Sequence, residues 1–183
     1  YVTPDNWDTA PAVARIKERF GISGALFEGY DHPYLTLAAE VRNNPDIDRV
    51  ALETMISDEL VAFEGVAYAI PSARLREGSL PDNALMQAVL NNYHPGRSGD
   101  IYLVFQPEWF IADMDGLSVS VTHGSPWRYD TFVPILFAGQ GIAPQKVSRR
   151  VHTIDVALTL SIVAGTRPPS GATGEVLLEV LGQ

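Results

Sequence analysis

A single histidine, His123, stands where the sequence could present a metal ligand. It follows the apolar segment that ends at Val121-Thr122 and precedes Gly124, which lets the backbone turn sharply. A second apolar run, residues 133–137, follows soon after. In an α/β sheet a polar side chain directly after a strand lies at the sheet edge, where ligand sites are commonly built. Neutral imidazole is a good zinc ligand, so the pattern indicates metal-dependent chemistry.

The sequence supplies no obvious partners for this histidine. A tetrahedral or five-coordinate zinc site needs two or three further His, Asp or Glu ligands. His32 lies in a predicted turn, His94 in a polar loop and His152 at the start of a predicted helix, and each is interpreted as a surface or capping residue. The residues alone therefore leave two interpretations of His123 open. It is either a metal ligand or a neutral histidine whose ring is hydrogen-bonded to the backbone at a strand end.

Asp130, which precedes the second apolar run, is the candidate partner of His123. Its carboxylate could accept a hydrogen bond from the far ring nitrogen of His123 and fix the tautomer, as carboxylates often do for metal ligands. An aspartate that accepts hydrogen bonds from the amides of a turn fits the sequence equally well. A triad of Ser125, His123 and Asp130 is disfavoured, because side chains so close in sequence usually point apart.

Alternating helices and strands are predicted to position these residues. The helices are expected at residues 11–20, from residue 46 or 48 to residue 63, and at residues 81–93, and the strands at residues 25–30, 34–37, 66–70 and 101–105. Asp115-Gly116 predicts a hairpin that leads into a strand over residues 117–121. Residues 133–137 are predicted to form a strand buried on both faces, and residues 156–164 the last helix.

Composition excludes several classes of function. The 183 residues carry a formal net charge of −9, and a chain this acidic is a poor nucleic-acid binder because phosphates are neutralised by clustered Lys and Arg. The chain has no cysteine, which excludes disulfides, thiol chemistry and cysteine-ligated zinc. No apolar run approaches the roughly 20 residues of a membrane helix, so we expect no membrane segment.

The second half of the chain resembles a known family. The motifs are Thr122-His123-Gly124-Ser125-Pro126, Tyr129-Asp130-Thr131-x-Val133-Pro134 and Phe137-x-Gly139-x-Gly141-Ile142, with supporting segments at residues 94–101, 147–160 and 169–174. They resemble the C-terminal part of the alkaline phosphatase superfamily. The resemblance is greatest to the type I phosphodiesterase/phosphatase-like enzymes that include the monomeric, phosphate-irrepressible bacterial alkaline phosphatases.

This resemblance implies a fold and a domain organisation. The fold is expected to be α/β, namely the C-terminal portion of an alkaline-phosphatase-like three-layer α/β/α sandwich with a small α+β insert in its N-terminal part. Residues 1–80 would form the insert, and residues 81–183 would belong to the core. The chain is expected to be a fragment, with further core segments upstream of Tyr1.

The resemblance also implies a function. Such enzymes hydrolyse phosphoric esters with a Ser or Thr nucleophile between two zinc ions. His123 matches the last zinc ligand of the family, whereas the nucleophile and the other ligands have no counterpart here. The substrate would be a phosphorylated small molecule, the location periplasmic or secreted, and the isolated chain inactive. The alternative is a non-catalytic alkaline-phosphatase-like domain that binds a partner or carbohydrate.

Overall fold

Four antiparallel strands organise the larger part of the molecule. The structure, a computed structural model, describes residues 1–3, 5–112 and 120–182. The strands are β1 (Phe27–Asp31), β2 (Tyr34–Leu37), β3 (Val66–Pro71) and β4 (Ile101–Phe105), in the spatial order β1-β2-β4-β3. All four were predicted from the sequence to within a few residues.

The described residues of this part of the chain also form helices, namely α1 (Ala10–Phe20), α2 (Ala39–Arg42), α3 (Arg49–Val61), α4 (Ser72–Glu77), α5 (Ala84–Asn92) and α6 (Arg128–Thr131). The predictions of α1, α3 and α5 are confirmed. Their ends have local causes, because the Asp48 side chain accepts a hydrogen bond from the Ala51 amide and Gly21 ends α1 in the left-handed conformation. The three short helices were not predicted, since four to six residues show too little periodicity.

Strand β4 is buried on both faces and forms the centre of this part of the fold. Ile101 packs in a cluster with residues of α1 and α3, whereas Tyr102 and Val104 pack with residues of α4 and α5. Successive side chains of a strand point to opposite faces, so its continuous apolar sequence fits a position between two helical layers. The result is a mixed α/β fold, as predicted.

A network of buried charges connects three elements around the start of β4. Glu53 on α3 is completely buried and accepts hydrogen bonds from Arg49 Nη2 (2.6 Å) and Ser72 Oγ (3.0 Å). The same Arg49 nitrogen donates to Asp100 Oδ1 (2.8 Å), and Asp100 Oδ2 accepts from the Leu37 amide of β2 (2.8 Å). The network therefore ties α3 to the start of α4 and to the edge where β2 and β4 meet.

The chain divides into two compact units, Tyr1–Phe132 and Val133–Gln183. The second unit contains α7 (Asp155–Val163) and a short 3-10 helix, Leu178–Leu181. The Asp155 carboxylate accepts hydrogen bonds from the His152 and Glu175 amides, both at 2.8 Å. The units differ from the expected division after residue 80, because β4 completes the sheet to which β1, β2 and β3 belong.

The predicted strand at residues 133–137 is wrong. These residues form neither helix nor strand, and Val133 and Leu136 are exposed. Pro134 has no amide hydrogen for a sheet ladder, and no neighbouring strand pairs with this segment among the described residues. The predicted hairpin at Asp115-Gly116 lies outside the described residues. Ser120 and Val121, at the end of the strand expected after it, are not in a strand.

No helix among the described residues is both long and apolar enough to cross a membrane.

Candidate functional site

A cavity of about 270 Å³ in the first unit is lined by the residues whose side chains could bind a ligand or take part in a reaction. Its walls come from the β1–β2 turn, the end of β4 with the segment after it, and the segment that leads into α6. The polar side chains among the described lining residues are Tyr30, His32, Glu108, Ser120, Thr122, His123, Ser125, Tyr129 and Asp130. The predicted candidates His123 and Asp130 therefore both border this cavity.

His123 lies in an irregular segment that the protein anchors at its C-terminal side. The Trp127 indole Nε1 donates a hydrogen bond to the carbonyl oxygen of Phe105 (2.7 Å), which joins the segment to the end of β4. Gly124 has φ of +100°, a conformation that L side chains rarely adopt, so glycine is required at this turn. The His123 side chain is exposed at the cavity. The described residues directly before it, 120–122, are not in a strand, contrary to the sequence-based expectation.

Asp130 holds this turn through a backbone contact. Its Oδ2 accepts a hydrogen bond from the Ser125 amide at 2.6 Å. Within the described parts of the chain, no hydrogen bond joins Asp130 to His123, so the geometry matches the turn-capping role that the sequence left open beside the ligand-orienting one. Carboxylate capping of an amide is a charge-assisted hydrogen bond and is stronger than a neutral one. Asp130 therefore holds the backbone of Ser125, two positions after His123, in place.

The side chains of Ser125, His123 and Asp130 do not form a catalytic triad. Ser125 Oγ is buried and makes no hydrogen bond to any described residue. A triad requires the serine hydroxyl to contact the base and the base to contact the carboxylate. Here the carboxylate binds the Ser125 amide instead.

His32, interpreted from the sequence as a surface or capping residue, lines the same cavity. Its Nδ1 lies 2.8 Å from the Tyr30 hydroxyl oxygen. Desolvation of its cavity-facing part is the largest influence and lowers the pKa of His32, whereas a hydrogen bond with the Gly124 backbone and the charge of Asp130 act in the opposite direction. Burial also raises the pKa of Tyr30, so its hydroxyl remains protonated. The Tyr30–His32 pair is therefore neutral at neutral pH.

Another residue that lines the cavity, Glu108, is a backbone outlier. Glu108 has φ of +68°, which is uncommon for any residue other than glycine, and its amide donates a hydrogen bond to the Tyr129 hydroxyl (3.0 Å). Residues in such conformations persist where surrounding contacts hold them, and they occur often at functional sites. Sequence reasoning missed Glu108, since no side-chain pattern reveals a local φ. His32 was missed because nothing in its own neighbourhood points to residues 90 positions away.

The described residues do not complete a metal site. Residues 1–3, 5–112 and 120–182 contain no group of three or more His, Cys, Asp or Glu side chains that could hold a metal ion. Structural zinc needs four ligands, and catalytic zinc needs three from protein. His123 could supply one of them. His94, whose Nδ1 accepts from the Gly96 amide, and His152 are absent from the described lining residues.

Curated relatives match almost the whole chain. A protein named calcium-transporting ATPase from Myroides odoratus is 29% identical over 92% of the chain. Alkaline phosphatase PafA from Elizabethkingia meningoseptica is 28% identical over 93%, and alkaline phosphatase PhoK from a Sphingomonas species is 35% identical over 81%. The chain spans only 27–30% of the length of these relatives. No protein-family model matches the chain.

A solved structure agrees with the sequence comparisons. The crystal structure of wild-type alkaline phosphatase PafA superposes with a TM-score of 0.79 and 25% identity, covering 96% of this chain and 33% of that one. The same family thus emerges from the motifs around His123, from sequence similarity along the chain and from the backbone. The chain is thus similar to part of the alkaline phosphatases and matches about a third of the length of the solved one.

Proposed function

We propose that this chain is the C-terminal part of a zinc-dependent phosphoric ester hydrolase, to which it contributes His123 as one metal ligand. The observation that carries the proposal is the position of His123, on the cavity of a fold that matches alkaline phosphatase PafA over 96% of the chain. The relatives named alkaline phosphatase and calcium-transporting ATPase share a reaction type, hydrolysis at a phosphoryl group. That shared reaction supports phosphoryl transfer to water more strongly than any other chemistry.

His123 has the features that a metal ligand requires. Its side chain is exposed at the cavity, and its backbone is held by the Gly124 turn and by the Asp130 carboxylate on the Ser125 amide. A ligand whose backbone is fixed loses little conformational freedom when it binds a metal ion. Asp130 acts in this proposal by holding the turn rather than by contacting the ring.

The remaining ligands and the nucleophile come from outside the described residues in this proposal. When bound, two zinc ions would activate the nucleophile and stabilise the charge that develops on the phosphoryl oxygens. The substrate is a phosphorylated small molecule and the location periplasmic or secreted. With one ligand, the isolated chain is expected to bind zinc weakly and to lack phosphatase activity.

The test compares two histidine variants in the full product of the gene that encodes this chain. His123→Ala removes the proposed ligand, and His152→Ala removes a histidine that does not line the cavity. We expect stoichiometric zinc and hydrolysis of p-nitrophenyl phosphate in the wild type and in His152→Ala. His123→Ala should lose at least about tenfold in zinc affinity and in activity, the scale on which losses at metal sites are measured. Equal zinc content and activity in both variants would contradict the role of His123.

A non-catalytic domain derived from the same fold is the second candidate. It is favoured by one observation, the lack of a complete metal-binding group among the described residues. Zinc content of the full gene product separates the two candidates, because stoichiometric zinc is expected only of the hydrolase. A full-length wild-type protein that contains no zinc and hydrolyses no phosphate ester would favour the binding domain.

A further inference from the structure

We propose that His32 is a positioning residue for His123, acting through a hydrogen bond from its Nε2–H to the backbone of Gly124. This inference rests on the proposed function in one respect: the proposed function explains why the direction of the His123 imidazole matters. The contact itself is a property of this chain. It joins the β1–β2 turn to a segment about 90 residues later, which neither the sequence motifs nor the family resemblance assigned.

The Tyr30 hydroxyl determines which nitrogen of His32 carries the proton. Tyr30 Oη and His32 Nδ1 are 2.8 Å apart. The hydroxyl of the half-buried Tyr30 remains protonated, and the lone pair of Nδ1 provides an acceptor for its proton. A neutral imidazole that accepts at Nδ1 carries its proton on Nε2. The tautomer of His32 is therefore fixed with its donor directed away from Tyr30.

That donor lies against the Gly124 turn. A Cβ built on Gly124 would be 3.4 Å from His32 Nε2 and 3.5 Å from Cδ2, so the edge of the ring lies beside this turn. A hydrogen bond from the ring to the Gly124 backbone, which would raise the pKa of His32, is the contact of this proposal. Gly124 has φ of +100°, and a contact on its backbone limits the conformations that this flexible residue could otherwise adopt.

The turn is held from both sides. In this proposal His32 donates to the Gly124 backbone from the β1–β2 turn, and the Asp130 carboxylate of α6 accepts from the Ser125 amide at 2.6 Å. His123 immediately precedes these two fixed residues. Two independent contacts on adjacent residues restrict the turn more than either alone, so the direction in which His123 leaves the turn depends on His32 as well as on Asp130.

Three substitutions at His32 separate a hydrogen-bonding role from space filling. His32→Gln keeps an amide donor at the position of Nε2, His32→Asn places its amide at the position of Nδ1, and His32→Phe fills the space without a donor. His94→Phe is the matched control, because His94 is also a loop histidine that accepts a backbone hydrogen bond but lies away from the cavity. Tyr30→Phe removes the hydroxyl while keeping the aromatic ring.

The readout is nuclear magnetic resonance of the chain without metal. In the wild type we expect the Nε2–H tautomer of His32 and a backbone order parameter of about 0.85 at residues 123–125, the value of rigid backbone. His32→Asn and His32→Phe should lower it below about 0.6, whereas His32→Gln and His94→Phe should leave it unchanged. Tyr30→Phe should remove the tautomer preference, and it remains informative if a His32 variant fails to fold.

A wild-type order parameter at residues 123–125 in His32→Phe, or in all three His32 variants, would overturn the proposal. The same holds for an Nδ1–H tautomer in the wild type. Because these measurements need no metal, absence of zinc from the full-length protein would contradict the proposed function without affecting the positioning role. Conversely, a disproved His32 contact leaves the His123 ligand test intact.

Discussion

Substitution of Arg49 by methionine tests the buried charge network most directly. Arg49 donates from one nitrogen to both Glu53 and Asp100, at 2.6 and 2.8 Å. The Glu53 side chain is completely buried, the Asp100 side chain is 9% exposed and Arg49 is 28% exposed. Arg49→Met would keep most of the apolar stem in place while leaving two buried carboxylates without their cation.

The expected loss follows from this burial. Removing one partner of a buried ion pair costs about 3–5 kcal/mol, because the remaining charge stays desolvated. Solvent contact at Arg49 and the hydrogen bonds that Glu53 and Asp100 keep from Ser72 and Leu37 favour the lower end of that range, about 3 kcal/mol. At a urea m-value of about 1.5 kcal/mol/M, this loss lowers the unfolding midpoint by about 2 M.

The assay is urea unfolding followed by tryptophan fluorescence, with Arg15→Met as the matched control. Arg15 pairs with Glu59 at 2.5 Å on the surface, and exposed pairs contribute about 0–1 kcal/mol. Glu53→Gln in the Arg49→Met background should recover part of the loss, since the neutral amide removes one uncompensated charge. Equal midpoints for Arg49→Met and Arg15→Met would refute the account of the network.

Three further predictions address other parts of the chain. The Arg149 guanidinium lowers the pKa of Glu179 from 4.5 to about 2. This contact therefore stabilises the fold above pH 4.5, and the stabilisation is lost as the pH falls toward 2. In Glu179→Gln the melting temperature should depend less on pH between these two values. Gly65→Ala, at φ of +88° with a Cβ that would overlap the Trp109 indole, should cost about 1–3 kcal/mol in urea unfolding, and an unchanged midpoint would contradict the packing. Leu136→Lys should change stability by less than about 0.5 kcal/mol, since Leu136 is 88% exposed; a larger loss would indicate a buried strand.

Two similar apolar runs show how far the sequence predicts the fold. Residues 101–105 and 133–137 are apolar runs that each predict a strand, and the second was expected to be buried on both faces. The first is the central strand β4, because β2 and β3 pair with both its edges and helices cover both its faces. The second has no neighbouring strand among the described residues. Hydrophobicity along a strand reveals the preference for burial, but pairing depends on segments distant in sequence.

Helix α7 shows that the sequence also leaves open which side of a helix is buried. Its position was predicted, but Asp155 and Thr159 are buried while Leu160 and Ile162 are about half exposed. The polar residues point inward because they serve backbone donors, as the Thr159 hydroxyl accepts from the Leu177 amide (3.0 Å) and Asp155 accepts from the Glu175 amide. The apolar sequence of α7 therefore predicts the helix but not which of its faces is buried.

The candidate site shows which functional residues a sequence can identify and which it cannot. His123 and Asp130 could be selected because each lies within a short motif with a chemical rationale. Residue Asp130 acts on the Ser125 amide, a role that the sequence allowed but could not choose. The positioning role proposed for His32 could not be found from the sequence, since it depends on the proximity of segments that are far apart in the chain. Local motifs thus identify candidate ligands, whereas the residues that orient them are found by tertiary contacts.

The charges around the cavity determine what this chain could contribute to phosphoryl chemistry. Its described lining residues include the carboxylates of Glu108 and Asp130 and the imidazoles of His32 and His123, but no Lys or Arg. A phosphate dianion about 6 Å from a carboxylate is repelled by several kcal/mol at an effective dielectric constant of about 20. The described residues would therefore oppose phosphate binding unless cations were added. In the proposed function zinc supplies that positive charge, and the His123 imidazole is the group through which this chain would help to hold it.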